Sequence, residues 1–77
     1  MIEEQLKAVM AKVFNVPVSE ISEESNNESI EKWDSLGHMN LCLALEQEFG
    51  VELDVDRVAS MQSYADVLAV IAQALGR

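Results

Sequence analysis

The stretch WDSLGHMNLCLALEQEFG, residues 33–50, determines most of what this sequence can fold into. It predicts a helix from about Ser35 to Phe49, because apolar residues recur at helical spacing and Gly50 is a typical helix stop. Asp34 stands where a capping carboxylate belongs. The apolar positions cover more than one face, which predicts a helix buried between its neighbours; they are Leu36, Met39, Leu41, Cys42, Leu43, Leu45 and Phe49.

The segment before this helix predicts a first helix and a long loop. A stripe of apolar residues at helical spacing indicates a helix that Asn15 and Pro17 end; it comprises Ile2, Leu6, Val9, Met10, Val13 and Phe14. Residues 15–34 form the least regular part of the chain, with a short helical turn expected near residues 19–22. A loop this long in a small domain is usually functional or held by its own side chains. The expected holding residues are Val16, Val18, Ile21, Ile30 and Trp33.

The segment after residue 50 predicts a short helix and a last main helix. Residues 51–53 read as an extended connector, and Asp54 or Asp56 can cap a short helix that runs through Met61. Ser63 begins a capping box for a last helix that ends near Leu75. The prediction is therefore an all-α fold, a small four-helix bundle of three main helices and one short helix, in a single domain of residues 1–77.

Composition and charge exclude several classes of protein. The chain has 77 residues, a net charge of −9 and one cysteine. Negative charge opposes nucleic-acid binding and favours partners with basic patches. No apolar run approaches the roughly 20 residues of a membrane span, and the acidic start is unlike a signal peptide. A small secreted domain usually needs disulfides, so we expect a cytoplasmic protein. We also expect a monomer and no metal site.

The start of the predicted central helix is suited to holding a phosphate group. The first N–H groups of a helix lack partners within the helix, and the helix dipole favours negative charge there. Ser35 offers a primary hydroxyl at this edge, next to the capping Asp34. Leu36 can turn into the core and fix the turn.

Asp34-Ser35-Leu36 at the start of an apolar helix resembles the attachment motif of acyl carrier proteins. The following residues 41–51, LCLALEQEFGV, are similar to the family's second helix and its exit, and chain length, acidity and helix order also match. The resemblance implies a non-catalytic carrier whose Ser35 receives 4′-phosphopantetheine from coenzyme A through a phosphopantetheinyl transferase. The arm would then carry acyl groups as thioesters for fatty-acid, polyketide or related biosynthesis.

The resemblance also implies that acyl-loading and acyl-processing enzymes with basic patches dock near Ser35. The candidate recognition residues are Gly37, His38, Asn40, Glu46, Glu48, Asp54 and Asp56. Fatty-acid carriers commonly have acids at the positions of Gly37 and Asn40, and both residues are neutral here. Trp33 is more like carriers of specialised acyl or polyketide pathways. Because Gly is unfavourable inside a helix, replacing Gly37 is expected to relieve a helix penalty.

Several other side chains have structural interpretations. Between the helices, the candidates for lining an acyl cavity are Leu45, Val58, Met61 and Ile71. Cys42 is expected to be a small buried hydrophobic residue, and Met10, Met39 and Met61 to fill the core. His38 is expected to be a surface or half-buried residue without a catalytic role, since no partner base or metal ligand accompanies it.

Three alternatives differ in class or cargo. An aminoacyl or peptidyl carrier of the same fold remains open. A hydrolase of the Gly-Asp-Ser-Leu type is disfavoured, because the glycine is absent and no later Asp-x-x-His activates the serine. An acidic helical adaptor without a prosthetic group also fits the composition. The mass of the protein after treatment with a phosphopantetheinyl transferase separates such an adaptor from a carrier.

Overall fold

The computed structural model describes residues 2–76, and this part of the chain is helical throughout apart from its loops. Helix α1 spans Ile2–Phe14, α2 Ser35–Phe49, α3 Val55–Ser60 and α4 Tyr64–Ala74. A single 3₁₀ turn, Val18–Glu20, interrupts the loop between α1 and α2. Among the described residues there is no strand, so the prediction of three main helices and one short helix is confirmed.

Side chains at the helix starts satisfy the free backbone N–H groups as predicted. The carboxylate of Asp34 accepts a hydrogen bond from the Gly37 N–H at 2.8 Å, which caps α2. Asp54 rather than Asp56 caps α3, accepting from the Arg57 N–H at 2.8 Å. The Ser63 hydroxyl caps α4 by accepting from the Asp66 N–H at 3.1 Å. Each of these capping side chains lies immediately before the first residue of its helix, where the sequence predicts the helix to begin.

Helices α1 and α2 are each followed by a residue whose backbone adopts the left-handed conformation. Asn15 has a φ of 56° and Gly50 a φ of 64°. At the end of α1 the Val16 N–H donates to the Ala11 carbonyl at 3.0 Å, the bond that closes a Schellman motif. Both helices therefore end where the sequence predicts.

The core lies between α1, α2 and α4. Its completely buried members come from all three helices and include Leu6, Met10, Phe14, Leu41, Leu45, Val67 and Ile71. The ring of Phe14 stacks on the indole of Trp33 with their centroids 5.2 Å apart. This contact joins the end of α1 to the residue before the α2 cap.

The long loop is held by buried side chains and by backbone hydrogen bonds. Ile21, Ile30 and Trp33 are buried as predicted, and Val16 packs partly against the core. The prediction for Val18 is wrong. It is 51% exposed, because it begins a single 3₁₀ turn that has no buried face.

Residues 25–27 of this loop pair with the residues that begin α4. The Asn27 N–H donates to the Gln62 carbonyl at 2.9 Å, and the Tyr64 N–H donates to the Ser25 carbonyl at 2.8 Å. Asn26 and Ser63 form an isolated antiparallel bridge between these two bonds. The loop is thereby tied to an element that lies far from it in sequence.

Helix α2 is buried on one face only, which corrects the prediction of burial on more than one face. Leu41, Cys42 and Leu45 are buried, whereas Leu36, Met39 and Leu43 are 71%, 57% and 55% exposed. The placement of Leu36 in the core and of Met39 as core filler is therefore wrong, while Met10 and Met61 are buried as predicted. The short α3 is the physical reason, because six residues cannot cover the outer flank of a 15-residue helix.

The connector between α2 and α3, residues 51–53, has no regular secondary structure, and it pairs with no strand among residues 2–76. Its Leu53 N–H donates to the carboxylate of Glu46 at 3.0 Å. This bond binds the connector to the flank of α2 and sets where α3 begins. No helix within residues 2–76 has the length and apolar character to cross a membrane.

Candidate functional site

Ser35 is the first residue of α2 and is exposed, so its hydroxyl is accessible at the start of the helix. The preceding Asp34 directs its carboxylate to the Gly37 N–H. The Asp34 carbonyl also accepts from the His38 N–H at 2.8 Å, which forms the first intrahelical bond. The serine is therefore presented from a helical turn that is fixed on both sides.

Gly37 is required by the path of the protein's own backbone. A Cβ atom at this position would overlap the carbonyl oxygen of Lys32 and would lie 3.3 Å from Oδ1 of Asp34. The loop chain therefore passes directly against the first turn of α2. The expectation that replacing Gly37 relieves a helix penalty is wrong, since any side chain there displaces backbone.

A chain of two hydrogen bonds runs from the loop through α2 to α3. The indole N–H of Trp33 donates to Nδ1 of His38 at 3.0 Å, and Nε2 of His38 lies 2.7 Å from the Val58 carbonyl. Because an indole nitrogen only donates and a carbonyl only accepts, the imidazole must be neutral with its proton on Nε2. We call this chain the Trp33–His38–Val58 bridge.

The sequence analysis did not predict this bridge, although it did predict that His38 is a surface or half-buried residue. Trp33 stands before the α2 cap and His38 lies in the first turn of the helix, five residues later, and this spacing does not by itself predict a contact. The third partner is a backbone carbonyl, which no side-chain pattern marks. The two rings are also nearly parallel, with an interplanar angle of 17°.

An open cleft of about 370 Å³ adjoins Ser35 between α2 and α3. Its walls include the Trp33–His38–Val58 bridge, the side chain of Met61, and the amide-bearing residues Asn27 and Gln62. Of the four candidates for an acyl cavity, Val58 and Met61 line this cleft. Leu45 and Ile71 have no exposed surface and lie in the core, so the structure does not bring the four into one cavity.

Most of the acidic recognition candidates have a structural partner within the chain. Glu46 holds the connector, Glu48 accepts from Gln5 of α1 at 3.0 Å, and Asp54 caps α3. Asn40 and Asp56 are exposed. Exposed apolar side chains follow Ser35 along α2 and include one residue of α3. They are Leu36, Met39 and Leu43 of α2 and Val55 of α3, which we call the apolar row.

Cys42 is buried with a free thiol, as predicted. Burial raises the pKa of the Cys42 thiol, and the negative charge of Glu46 raises it further. A thiol whose pKa is raised has little of the reactive thiolate at neutral pH. Cys42 is therefore unsuited to carry a thioester itself.

These residues fit a phosphate-linked prosthetic group on Ser35. The hydroxyl is exposed at a helix N-terminus, where backbone N–H groups and the helix dipole favour an anion. The adjoining cleft gives an attached arm a surface on which to lie. A serine displayed at the start of a capped helix and beside a cleft is the arrangement expected of a helical carrier domain.

Comparison with known proteins identifies the family. A family model described as "Phosphopantetheine attachment site" matches residues 4–76. An acyl carrier protein of Thermosynechococcus vestitus is 33% identical over 68 residues, covering 88% of this chain and 84% of that protein. Acyl carrier protein 3 of Ralstonia nicotianae is 29% identical over 72 residues, covering 94% of this chain and 83% of that protein.

The fold agrees with a solved structure of the same class. The solution structure of a holo acyl carrier protein from Geobacter metallireducens superposes with a TM-score of 0.86 at 24% identity, covering 97% of this chain and 86% of that one. The chain belongs to the acyl carrier protein family. It is an acyl carrier of a family whose prosthetic group is a covalently attached 4′-phosphopantetheine.

Proposed function

We propose that Ser35 is the attachment residue and that the protein carries acyl intermediates on the attached arm without catalysing a reaction itself. The observation that carries this assignment is the exposed hydroxyl of Ser35 at the capped start of α2, beside the cleft. Asp34 is engaged by the Gly37 N–H and Cys42 is buried, so neither competes for the role. The 4′-phosphopantetheine supplies a flexible thiol that forms the thioester with the acyl group.

The protein's own residues hold Ser35 in an accessible position but do not activate its hydroxyl. In the transfer, the Ser35 oxygen forms a new bond to the phosphorus on the pantetheine side of the coenzyme A diphosphate, and its proton passes to a base of the transferase. The bond from this phosphorus to the oxygen that bridges the two phosphates breaks, and adenosine 3′,5′-bisphosphate leaves. No side chain beside Ser35 acts as a base, because Asp34 caps α2 and His38 Nδ1 accepts from Trp33. The reaction therefore depends on a phosphopantetheinyl transferase, and the carrier contributes only a rigid, accessible hydroxyl.

We further propose that the partners are enzymes of a specialised acyl or polyketide pathway in the cytoplasm. The middle of α2 has neutral residues at Gly37 and Asn40, and Glu46 and Glu48 hold other parts of the fold. Partner enzymes would then meet the apolar row close to Ser35 and acids only at its margins. A free, buried thiol in a chain with one cysteine agrees with a reducing compartment.

Intact-protein mass spectrometry tests the attachment residue. Incubation with coenzyme A and a broad-specificity phosphopantetheinyl transferase should add one phosphopantetheine to the wild type and none to Ser35→Ala. Ser60→Ala is the matched control, because Ser60 is an exposed serine at the end of α3 near the same cleft and should leave loading intact. A loaded Ser35→Ala protein would overturn the assignment, and an unloaded wild type would overturn the carrier function.

A further inference from the structure

The Trp33–His38–Val58 bridge stands between the attachment serine and the protein core. Ser35, His38, Cys42 and Leu45 recur at helical spacing and share one face of α2. Ser35 is exposed at one end of this face, whereas Leu45 at the other end has no exposed surface. His38 lies between them and joins α2 to α3 through the Val58 carbonyl. A chain that passed from Ser35 along this face into the core would meet the imidazole first.

The space on the outer side of the bridge differs in character from the space behind it. Outside lies the open cleft of about 370 Å³, whose lining combines Met61 and Val58 with the polar residues Asn27 and Gln62. Leu41, Leu45 and Ile71 in the core are completely buried, so the core itself offers no surface that is open to a chain from Ser35. Admitting an acyl chain there requires His38 to leave both of its partners, and this leaves the Trp33 N–H and the Val58 carbonyl unpaired in a partly buried place.

We propose, as an extension of the proposed function, that the Trp33–His38–Val58 bridge keeps the thioester-bound group out of the core and confines it to the surface cleft. The carrier is thereby selective for acyl groups that are short or bear polar substituents. Side-chain amides can pair with a hydroxyl or carbonyl on such a group, whereas a long alkyl chain in this cleft would lie against the polar residues Asn27, Asp34 and Gln62. His38 acts in this scheme as a positioning residue that determines specificity.

The bridge itself can be measured in the unloaded protein, independently of any carrier function. Trp33 is the only tryptophan, so its indole N–H gives one identifiable NMR signal. We expect this proton to exchange slowly and the ¹⁵N shifts of His38 to show a neutral ring with the proton on Nε2. A rapidly exchanging indole proton, or a ring with its proton on Nδ1, would overturn the inference whether or not Ser35 can be loaded.

Confinement to the cleft is tested by loading acetyl, butyryl and octanoyl groups from the corresponding acyl-coenzyme A thioesters. In the wild type the melting temperature should differ by less than about 2 °C across the series, because no additional methylene group becomes buried. In His38→Ala the octanoyl form should melt at least about 4 °C above the acetyl form. His38→Gln is the matched control, since its amide can both accept from Trp33 and donate to Val58, and it should behave as the wild type.

Two further measurements keep the inference testable if His38→Ala does not fold. Trp33→Phe removes one bond of the bridge and retains an apolar ring, and its octanoyl form should also gain stability over its acetyl form. A 3-hydroxybutyryl group should shift the NMR signals of the Asn27 and Gln62 side-chain amides more than butyryl does in the wild type. Wild-type protein that octanoyl stabilises by several degrees, or amide signals that do not respond to the hydroxyl group, would overturn the inference that the cleft beside Ser35 holds the group.

Discussion

The α carbon of Gly37 lies so close to the carbonyl oxygen of Lys32 that no side chain fits between them. Gly37→Ala should therefore destabilise the protein by about 1–3 kcal/mol, the usual cost of overpacking, although alanine is the better helix former. Thermal unfolding followed by circular dichroism measures the change. Asn40→Ala, at an exposed position of the same helix, is the control and should change stability by less than about 0.5 kcal/mol. A Gly37→Ala protein at least as stable as the wild type would show that the two segments do not touch.

The neutral Asn40 provides the better test of charge in partner recognition, because it is exposed and Gly37 cannot accept a side chain. Asn40→Glu should raise turnover of the acyl-loaded carrier by a ketosynthase of general fatty-acid synthesis. An exposed charge pair contributes on the order of 0.2–1 kcal/mol, and the gain should fall at high salt. Asn40→Gln controls for side-chain length. If the wild type is already processed as fast as the host's own fatty-acid carrier, the protein does not serve a separate pathway.

Leucine-to-alanine substitutions on the two faces of α2 should lower the free energy of unfolding by very different amounts. Leu45→Ala should lower the free energy of unfolding by about 2–5 kcal/mol, since Leu45 is completely buried. Leu43→Ala, two residues away, removes a side chain that is 55% exposed and should cost much less. Phe49→Ala should fall between them, because Phe49 is half-buried. Denaturant unfolding of the three variants gives the order, and equal losses for Leu43 and Leu45 would mean that the faces are misassigned.

The raised pKa values of Cys42 and Tyr64 predict a loss of stability in alkali. Burial is the main cause for both residues, with added repulsion from Glu46 at Cys42 and from Glu3 and Glu23 at Tyr64. Above about pH 9 the unfolded chain loses the thiol proton while the folded chain retains it. The unfolded state then binds fewer protons, so the free energy of unfolding falls as the pH rises. Urea unfolding between pH 7 and 11 should show this decline, and Cys42→Ala should make it shallower.

The same thiol predicts a simple chemical difference between the unloaded and loaded carrier. In the unloaded protein Cys42 should react slowly with a thiol reagent at pH 8, because the thiol is buried and its pKa is raised. The loaded protein should show one rapidly reacting thiol, which belongs to the arm. Unfolding in denaturant should expose Cys42 in both forms. Rapid reaction of the native, unloaded protein would contradict the burial of Cys42.

The helices could be predicted from the sequence because their determinants are local. Asp34, Gly50 and Ser63 occupy cap positions, and each lies where the corresponding helix begins or ends in the structure. The choice between Asp54 and Asp56 could not be made in advance, since either carboxylate can cap a helix that starts at the next residue. The structure selects Asp54.

The faces of α2 could not be predicted, because their burial depends on how much of the helix its neighbours cover. The apolar spacing of Leu36, Met39 and Leu43 is as suitable for a core as for a docking surface. The same limit applies to Gly37. This position must be glycine because the Lys32 carbonyl occupies the place that a side chain would take. The Trp33–His38–Val58 bridge was beyond sequence reasoning for a related reason, since it ends on a backbone carbonyl of another helix.

Because residues 25–27 pair with residues 62–64, the loop that leads to Ser35 can reach its native position only after α4 has docked. Contacts between residues so far apart in sequence form late, because closing the intervening loop costs chain entropy before the contacts can compensate. A chain whose α4 has not docked lacks the partners of Ser25 and Asn27, and the loop that leads to Asp34 is not yet in place. A transferase that requires this loop would then modify only completed molecules. Loading would thus act as a checkpoint for folding, and only fully assembled carriers would receive cargo.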